Sequence, residues 1–255
     1  MRFAALGSGS QGNGLVVEHD GCRLLIDCGF SAAETSQRLA RLGLEPKDLS
    51  AILVTHEHDD HIGGVARLAA KYALPVWMTP GTLRGMEQRF QSIDLNFIQG
   101  YRPFSIGGLH VTPYPVPHDA REPSQFVFTD GKHRLGLLTD AGSVTPHMVS
   151  TLTGCDALLL ECNHDAGLLH RGRYPAALKQ RISGRWGHLD NDAAMQVLKE
   201  VDQAGTLRTV VAMHLSEENN HPGLVTSAIE VSAGNFKGRV CVAHQDAGTP
   251  WLSVV

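Results

Sequence analysis

The sequence reads as an α/β protein in which two sheets are covered by helices. Three observations lead there. β-Type and α-type hydrophobic patterns alternate along the chain. The 255 residues, 42% of them hydrophobic, can bury one large core. No linker or fixed-period repeat interrupts the pattern, so residues 1–255 are expected to form one domain.

The elements follow in order. Arg2 to Leu6, Leu15 to Glu18 and Arg23 to Asp27 are strand-like runs separated by Gly-rich or Asp-Gly turns. Ser31 to Leu42 carries Ala32, Leu39 and Leu42 at roughly helical spacing, with Ser31 placed to cap it and Gly43 to stop it. Ala51 to Thr55 is a short apolar run of the kind that lies buried on both faces of a sheet. Further strands are expected over Val76 to Met78, Leu109 to Tyr114, Gln125 to Thr129, Arg134 to Thr139, Ala157 to Leu160, Thr209 to Met213 and Val240 to Ala243. Helices are expected over Ile62 to Tyr72, Asn191 to Gln203 and Leu224 to Ala233.

Composition excludes several classes. The opening MRFAALGSGSQGN holds too short an apolar run to be a secretory core, and no stretch approaches the ~18 to 20 apolar residues of a membrane span. A cytoplasmic protein with no membrane partner is expected. The 5 cysteines lack CxxC spacing, which argues against a disulfide framework or a cysteine zinc knuckle. Net charge is −4, so no overall basic field draws nucleic acid from a distance. One stretch, Ala166 to Leu189, is locally basic, with Arg171, Arg173, Lys179, Arg181 and Arg185 and no acidic residue. It fits either a phosphate-contacting patch or a solvated loop and helix face.

Histidine stands out at 14 residues, and imidazole is the commonest protein metal ligand. The sharpest signal is His56-Glu57-His58-Asp59-Asp60-His61, directly after an apolar strand. Period-two alternation sends His56 and His58 the same way, which suits two ligands on one ion. Asp60 and His61 can reach a second ion as the chain turns into the helix expected from Ile62.

HxHxDH resembles the signature of the metallo-β-lactamase superfamily. That resemblance implies the four-layer αββα metallo-β-lactamase sandwich and a two-metal site at one edge, completed by later residues. His118 in Pro-Val-Pro-His-Asp is similar to the third ligand of the first metal, Asp140 in Leu-Leu-Thr-Asp-Ala-Gly to the bridging carboxylate, and His214 in Val-Val-Ala-Met-His-Leu-Ser to the last ligand of the second metal. Each follows a strand-like run, where a His or Asp can also serve merely to cap a turn. Asp27 resembles the family's early aspartate, which supports the HxHxDH loop from behind. An all-nitrogen-and-oxygen set suits two divalent ions, Zn²⁺ or Mn²⁺, with Fe as a further choice.

The fold hosts many reactions, so substrate must come from elsewhere. Antibiotic-degrading relatives often place Cys where this chain has Asp140, which disfavours β-lactam hydrolysis. Gly187-His188-Leu189 resembles the Gly-His-Leu block of the endonucleases that trim transfer-RNA 3′ ends. There the histidine lies beside the scissile phosphate, helped by a glutamate matched here by Glu161. His188 would then protonate the leaving oxygen, with Asp60 and Glu161 completing the catalytic set; otherwise it is a loop or helix-capping residue. Across nearly the full length, Leu6 to Asn13, Glu161 to Asp165, Gly187 to Leu189 and His214 to Asn220 resemble the YycJ-type (WalJ) group, although Gly-His-Leu-Asp-Asn-Asp stands where that group usually has Gly-His-Leu-Ser-Asn-Glu. This implies a metal-dependent exonuclease directed to DNA 5′ ends, with a link to mismatch repair. The alternative is a small-molecule metallo-hydrolase acting on a cyclic phosphodiester or thioester. Ser10, Asn13, His164 and Arg185 are candidate substrate-binding residues; the loop from Gly7 to Gly14 could offer backbone N–H groups to a phosphate or form a tight structural turn.

Overall fold

Strand alternation sorts the apolar residues into three contact zones, and those zones define four layers. The computed structural model describes residues 1–232, 236 and 238–255. Among them one sheet contains β1 (Arg2–Gly7), β2 (Gly14–His19), β3 (Cys22–Ile26), β4 (Ala51–Leu53), β5 (Val76–Met78), β6 (Leu95–Phe97) and β14 (Leu252–Ser253), in the order β14-β1-β2-β3-β4-β5-β6. The other contains β7 (Phe104–Ile106), β8 (Leu109–Pro115), β9 (Ser124–Thr129), β10 (Arg134–Leu138), β11 (Ala157–Glu161), β12 (Thr209–Met213) and β13 (Arg239–Val242), in the order β13-β12-β11-β10-β9-β8-β7.

Alternate residues of each strand face opposite layers. Leu24, Ile26, Ala51 and Leu53 from the first sheet meet Leu135, Leu137, Leu159, Val211 and Met213 from the second in the central core. The residues between them, Leu25 and Ile52, face the outer layer of α1 (Ala32–Ala40) and α3 (Val65–Tyr72). On the far side Leu158, Leu160, Val210 and Ala212 face α5 (Pro146–Leu152), α8 (Asn191–Val201) and α9 (Pro222–Ser232). Burying each such Leu or Val contributes about 1.5–3 kcal/mol. The expected αββα layering is the one found.

β3 to β6 run parallel, as do β10 to β13. Parallel strands end at the same edge, so the residues that follow β3, β4, β10, β11 and β12 gather in one place.

Several boundaries differ from expectation for physical reasons. The helix expected from Ile62 begins inside the histidine motif as α2 (Asp59–Ile62), breaks at Gly63 and Gly64, and resumes as α3. Gly64 N–H donates to Cys28 O at 2.7 Å, and a Cβ there would run into the Phe30 carbonyl, so the break lets two backbones touch. Asp60 and His61 therefore project from a helical turn, not from a loop. Thr55, expected at the end of β4, leaves the strand to donate to Asp27. The α1 limits shrink to Ala32–Ala40, with Ser31 Oγ accepting from Glu34 N–H as its cap. The last expected helix is α9, and its proposed end, Ala233, lies outside the described residues. The basic stretch folds into α6 (Ala166–Arg171) and α7 (Ala176–Ile182), which periodicity does not reveal because α7 buries no residue. No helix of the described residues is long and apolar enough to cross a membrane.

Candidate metal centre

Three of the gathered residues sit on strained backbone. Asp27, Asp140 and His214 follow β3, β10 and β12 with φ of 61°, 53° and 56°, in the left-handed region that Asp, Asn and His tolerate best among residues with a Cβ. Such strain persists where the surroundings impose it, and all three side chains turn into the same edge cavity or its wall.

Asp27 organises the histidine motif from beneath. Its Oδ1 accepts from Thr55 N–H at 2.8 Å, and its Oδ2 accepts from Thr55 Oγ1 at 2.8 Å and meets His61 Nδ1 at 2.8 Å. With its proton committed to Asp27, the Thr55 hydroxyl accepts from His56 Nδ1 at 2.9 Å. His118 Nδ1 donates to Gly187 O at 3.0 Å. These bonds leave the lone pairs on His56 Nε2 and His118 Nε2 aimed at His58 Nδ1, at 3.0 and 3.2 Å. Three imidazole nitrogens thus converge on one point, a donor set suited to a cation.

A second convergence lies beside the first. Asp60 Oδ2 stands 3.4 Å from His61 Nε2 and 3.6 Å from His214 Nε2. Asp140 joins this group, with Oδ2 3.4 Å from His61 Nε2 and Oδ1 3.5 Å from His214 Nε2, and it also clusters with His56 of the first group. Asp140 Oδ2 and His214 Nε2 are buried with no hydrogen-bond partner, an expensive arrangement for a carboxylate and an imidazole. A divalent ion ligated by both removes that cost, so the residues present fit the metal site that the motif implies.

The two convergences differ in charge. Burial, reinforced by the charge on His61, pushes His56 well below its ordinary range, and burial lowers His118 against the pull of Asp140. Burial would lower His61 and His214 as well, but Asp140 together with Asp27 holds His61 well above the usual value, and Asp140 with Asp60 lifts His214 to about 9. Burial likewise would raise Asp60 and Asp140, yet His214 and His61 keep both carboxyls below the usual range.

Glu161 is fully buried at the end of β11. Its Oε1 meets His188 Nδ1 at 2.8 Å, while its Oε2 accepts from Ala141 N–H at 2.9 Å and Leu189 N–H at 3.2 Å. One carboxylate therefore fixes the loop after Asp140, the loop around His188 and the ring of His188 itself. The His188 and His214 rings stack at 5.2 Å. A cavity of about 400 Å³ opens beside the group, lined by His58, Asp60, Asp140, His188, His214 and Ser10 and by Arg181 and Ile182 of α7.

The structure brings together His56, His58, Asp60, His61, His118, Asp140, His214, Glu161, His188 and Ser10, with Asp27 behind them. It does not bring the remaining candidates to the cavity. Asn13 is buried, its amide spanning Gly9 and lying 3.1 Å from His61 Nε2, so it braces the Gly-rich loop against the motif. That loop is a structural turn, with Ser8 Oγ accepting from His214 N–H and Gln245 clamping Gln11 and Gly12. His164 is buried against Asn163 and bridges to Asp190. Arg185 lies over the Trp186 ring, away from the cavity wall. The basic residue on the wall is Arg181, whose Nε donates to Asp119 Oδ2 at 2.6 Å. Sequence reading singled out neither Thr55 nor Asp119; each is a sequence neighbour of a motif histidine, which is the only signal that pointed to it.

Residues 22–215 match the family model described as the beta-lactamase superfamily domain. The chain is 38% identical to the exodeoxyribonuclease YycJ of Bacillus anthracis over 90% of its own length and 88% of the relative's. It is 34% identical to the exodeoxyribonuclease WalJ of Streptococcus pneumoniae over 100% of its length and 98% of the relative's. The fold is similar to that of the metallo-beta-lactamase fold protein YhfI from Bacillus subtilis, with a TM-score of 0.73 at 20% identity, covering 98% of each chain.

Proposed function

The chain belongs to the β-lactamase superfamily and, within it, to the YycJ/WalJ type, and on that premise we propose that it is a metal-dependent phosphodiesterase that removes nucleotides from the 5′ ends of DNA. The observation that carries the reading is the Glu161–His188 pair, held at 2.8 Å, with the His188 ring beside both ligand nests, 5.3 Å from the His118 ring and 5.2 Å from the His214 ring.

In this reading His56, His58 and His118 hold one divalent cation, Zn²⁺ or Mn²⁺ being the expected choices, and Asp60, His61 and His214 hold a second, with Asp140 shared. When bound, the cations supply a water of lowered pKa and neutralise charge on the phosphoryl oxygens. The chain's own residues do the rest. Glu161 Oε1 accepts from His188 Nδ1–H, so Nε2 presents a proton to the leaving oxygen, and imidazole is the side chain that exchanges protons most readily near neutral pH. Arg181, which lines the same cavity, pairs with a phosphate of the bound strand, a role in which it takes the place expected of Arg185. Ser10 lines the same cavity and can donate to a phosphoryl oxygen. The setting that goes with this reading is cytoplasmic DNA maintenance.

The test uses purified protein of measured metal content, end-labelled single- and double-stranded DNA, RNA and a nitrophenyl phosphodiester, with Mn²⁺ or Zn²⁺ added. Metal-dependent release of label from DNA 5′ ends is expected. His188→Ala should keep its metal, slow DNA cleavage by about 10²–10⁴-fold and spare the nitrophenyl ester, whose leaving group scarcely needs a proton. Turnover of a cyclic phosphodiester with intact DNA would replace this reading with the small-molecule one.

A further inference from the structure

The three tryptophans occupy very different surroundings. Trp77 stacks on Phe104 at 4.5 Å, and Trp251 lies beneath Arg2 with Nε1 donating to Leu42 O. Trp186 is 50% exposed, and it directly precedes Gly187 and His188, which line the cavity.

Nothing in the local fold asks for an indole there. The loop is held by its backbone: Trp186 O accepts from Asp119 N–H at 2.9 Å, Gly187 O from His118 at 3.0 Å, and Arg185 O from Ser143 Oγ at 3.1 Å. Gly142 packs so closely against residues 185 to 187 that it has no room for a Cβ. The loop is thus tied to the neighbours of His118 and Asp140, while the residue that carries the indole is half exposed. The Arg185 guanidinium covers part of it at 4.8 Å from the ring centroid, leaving a flat, cation-backed aromatic surface.

A rigid exposed aromatic beside a phosphodiester site is the form of a stacking platform for a nucleobase. Two residues of chain span at most about 7 Å, so a nucleotide whose phosphate reaches His188 has its base within range of the indole. Bases inside a duplex already stack on both neighbours and cannot use it. We propose that Trp186, backed by Arg185, stacks an unpaired base adjacent to the scissile phosphate and so favours single-stranded or frayed ends. This rests on the DNA reading given above.

The test measures binding of a phosphorothioate single strand, which resists cleavage, and of the same strand with an abasic terminal nucleotide, followed by indole fluorescence and by competition. The intact strand is expected to quench emission and to bind more tightly than the abasic one. Trp186→Ala should weaken the intact strand about tenfold and the abasic strand hardly at all, and Trp186→Phe should recover most of the difference. Turnover of the nitrophenyl diester should not change. A Trp186→Ala protein that still prefers the intact strand by the wild-type ratio overturns the platform and leaves the nuclease reading standing. A wild-type protein that neither binds nor cleaves DNA overturns the nuclease reading, and the platform with it.

Discussion

The two ligand nests share Asp140 and a cavity wall, yet they are opposites in charge. In the first, His56 and His118 are driven toward the neutral form by burial, and their outer nitrogens are spoken for by Thr55 and Gly187. In the second, His61 and His214 are driven toward the charged form by Asp27, Asp60 and Asp140. The first nest is a set of waiting lone pairs. The second is balanced internally by protons, and a cation entering it must displace them. On the two-cation reading, the first nest would take a metal without rearranging charge and the second would trade protons for it.

The comparison breaks most visibly if the nests are not separate. On the two-cation nuclease reading, His58→Ala should reduce the cation content from two equivalents per chain to one, as should His214→Ala, and each should cut DNA turnover by at least about 10²-fold, the scale of losing one preorganised electrostatic group. Elemental analysis of the purified variants checks this. Two full equivalents in His58→Ala would remove the tri-imidazole assignment, and loss of both equivalents in either variant would mean one indivisible site.

The charge difference predicts a pH dependence of opposite kinds. In the metal-free protein the Asp140 and Asp60 carboxylates lift His214 to about 9, above its unfolded value near 6.5. A raised folded pKa adds stability that is complete below about 6.5 and lost as pH rises through about 9. The melting temperature of chelator-treated protein should therefore fall across that window, and that of loaded protein should not. Metal affinity moves the other way, since the second nest should gain affinity from pH 6.5 to 9 while the first changes little. Titration calorimetry at several pH values separates the two, and equal pH slopes at both nests would erase the distinction.

How much of this was legible in the sequence follows the same divide. His56, His58, Asp60 and His61 fall within six residues, so local spacing carried both nests' beginnings. His118, Asp140 and His214 are scattered over nearly a hundred residues, and only a family resemblance joined them, because strand order decides which chain ends meet. The layered fold was readable from alternation, since both sheets bury both faces. The outer wall was not. α7 buries nothing, so it leaves no apolar period, and the choice between Arg181 and Arg185 depends on a helix end that composition does not mark. For Asn13 and His164 the sequence leaves the substrate-binding and structural readings open for one reason: polarity beside a motif does not say whether a side chain faces the cavity or braces the loop behind it. The left-handed backbone at Asp27, Asp140 and His214 likewise follows from tertiary packing.

Thr55 gives the finest test, because its hydroxyl serves the nests unequally. It is the only contact holding His56 Nδ1 among the described residues, at 2.9 Å, whereas His61 is held directly by Asp27 at 2.8 Å and lies 3.4 Å from the same hydroxyl. Thr55→Val keeps the shape and the backbone N–H that donates to Asp27, and removes only the hydroxyl. The His56 ring then loses the partner that fixes its tautomer, and loss of such a partner typically costs 10–100-fold in metal affinity. The first nest should weaken by about tenfold, the low end of that range, with the second nest and the melting temperature of the metal-free protein little changed. Competition with a graded series of chelators reads the two affinities apart. Equal weakening of both nests would show that Asp27 needs the hydroxyl as much as His56 does, and that the nests are coupled through their shared support.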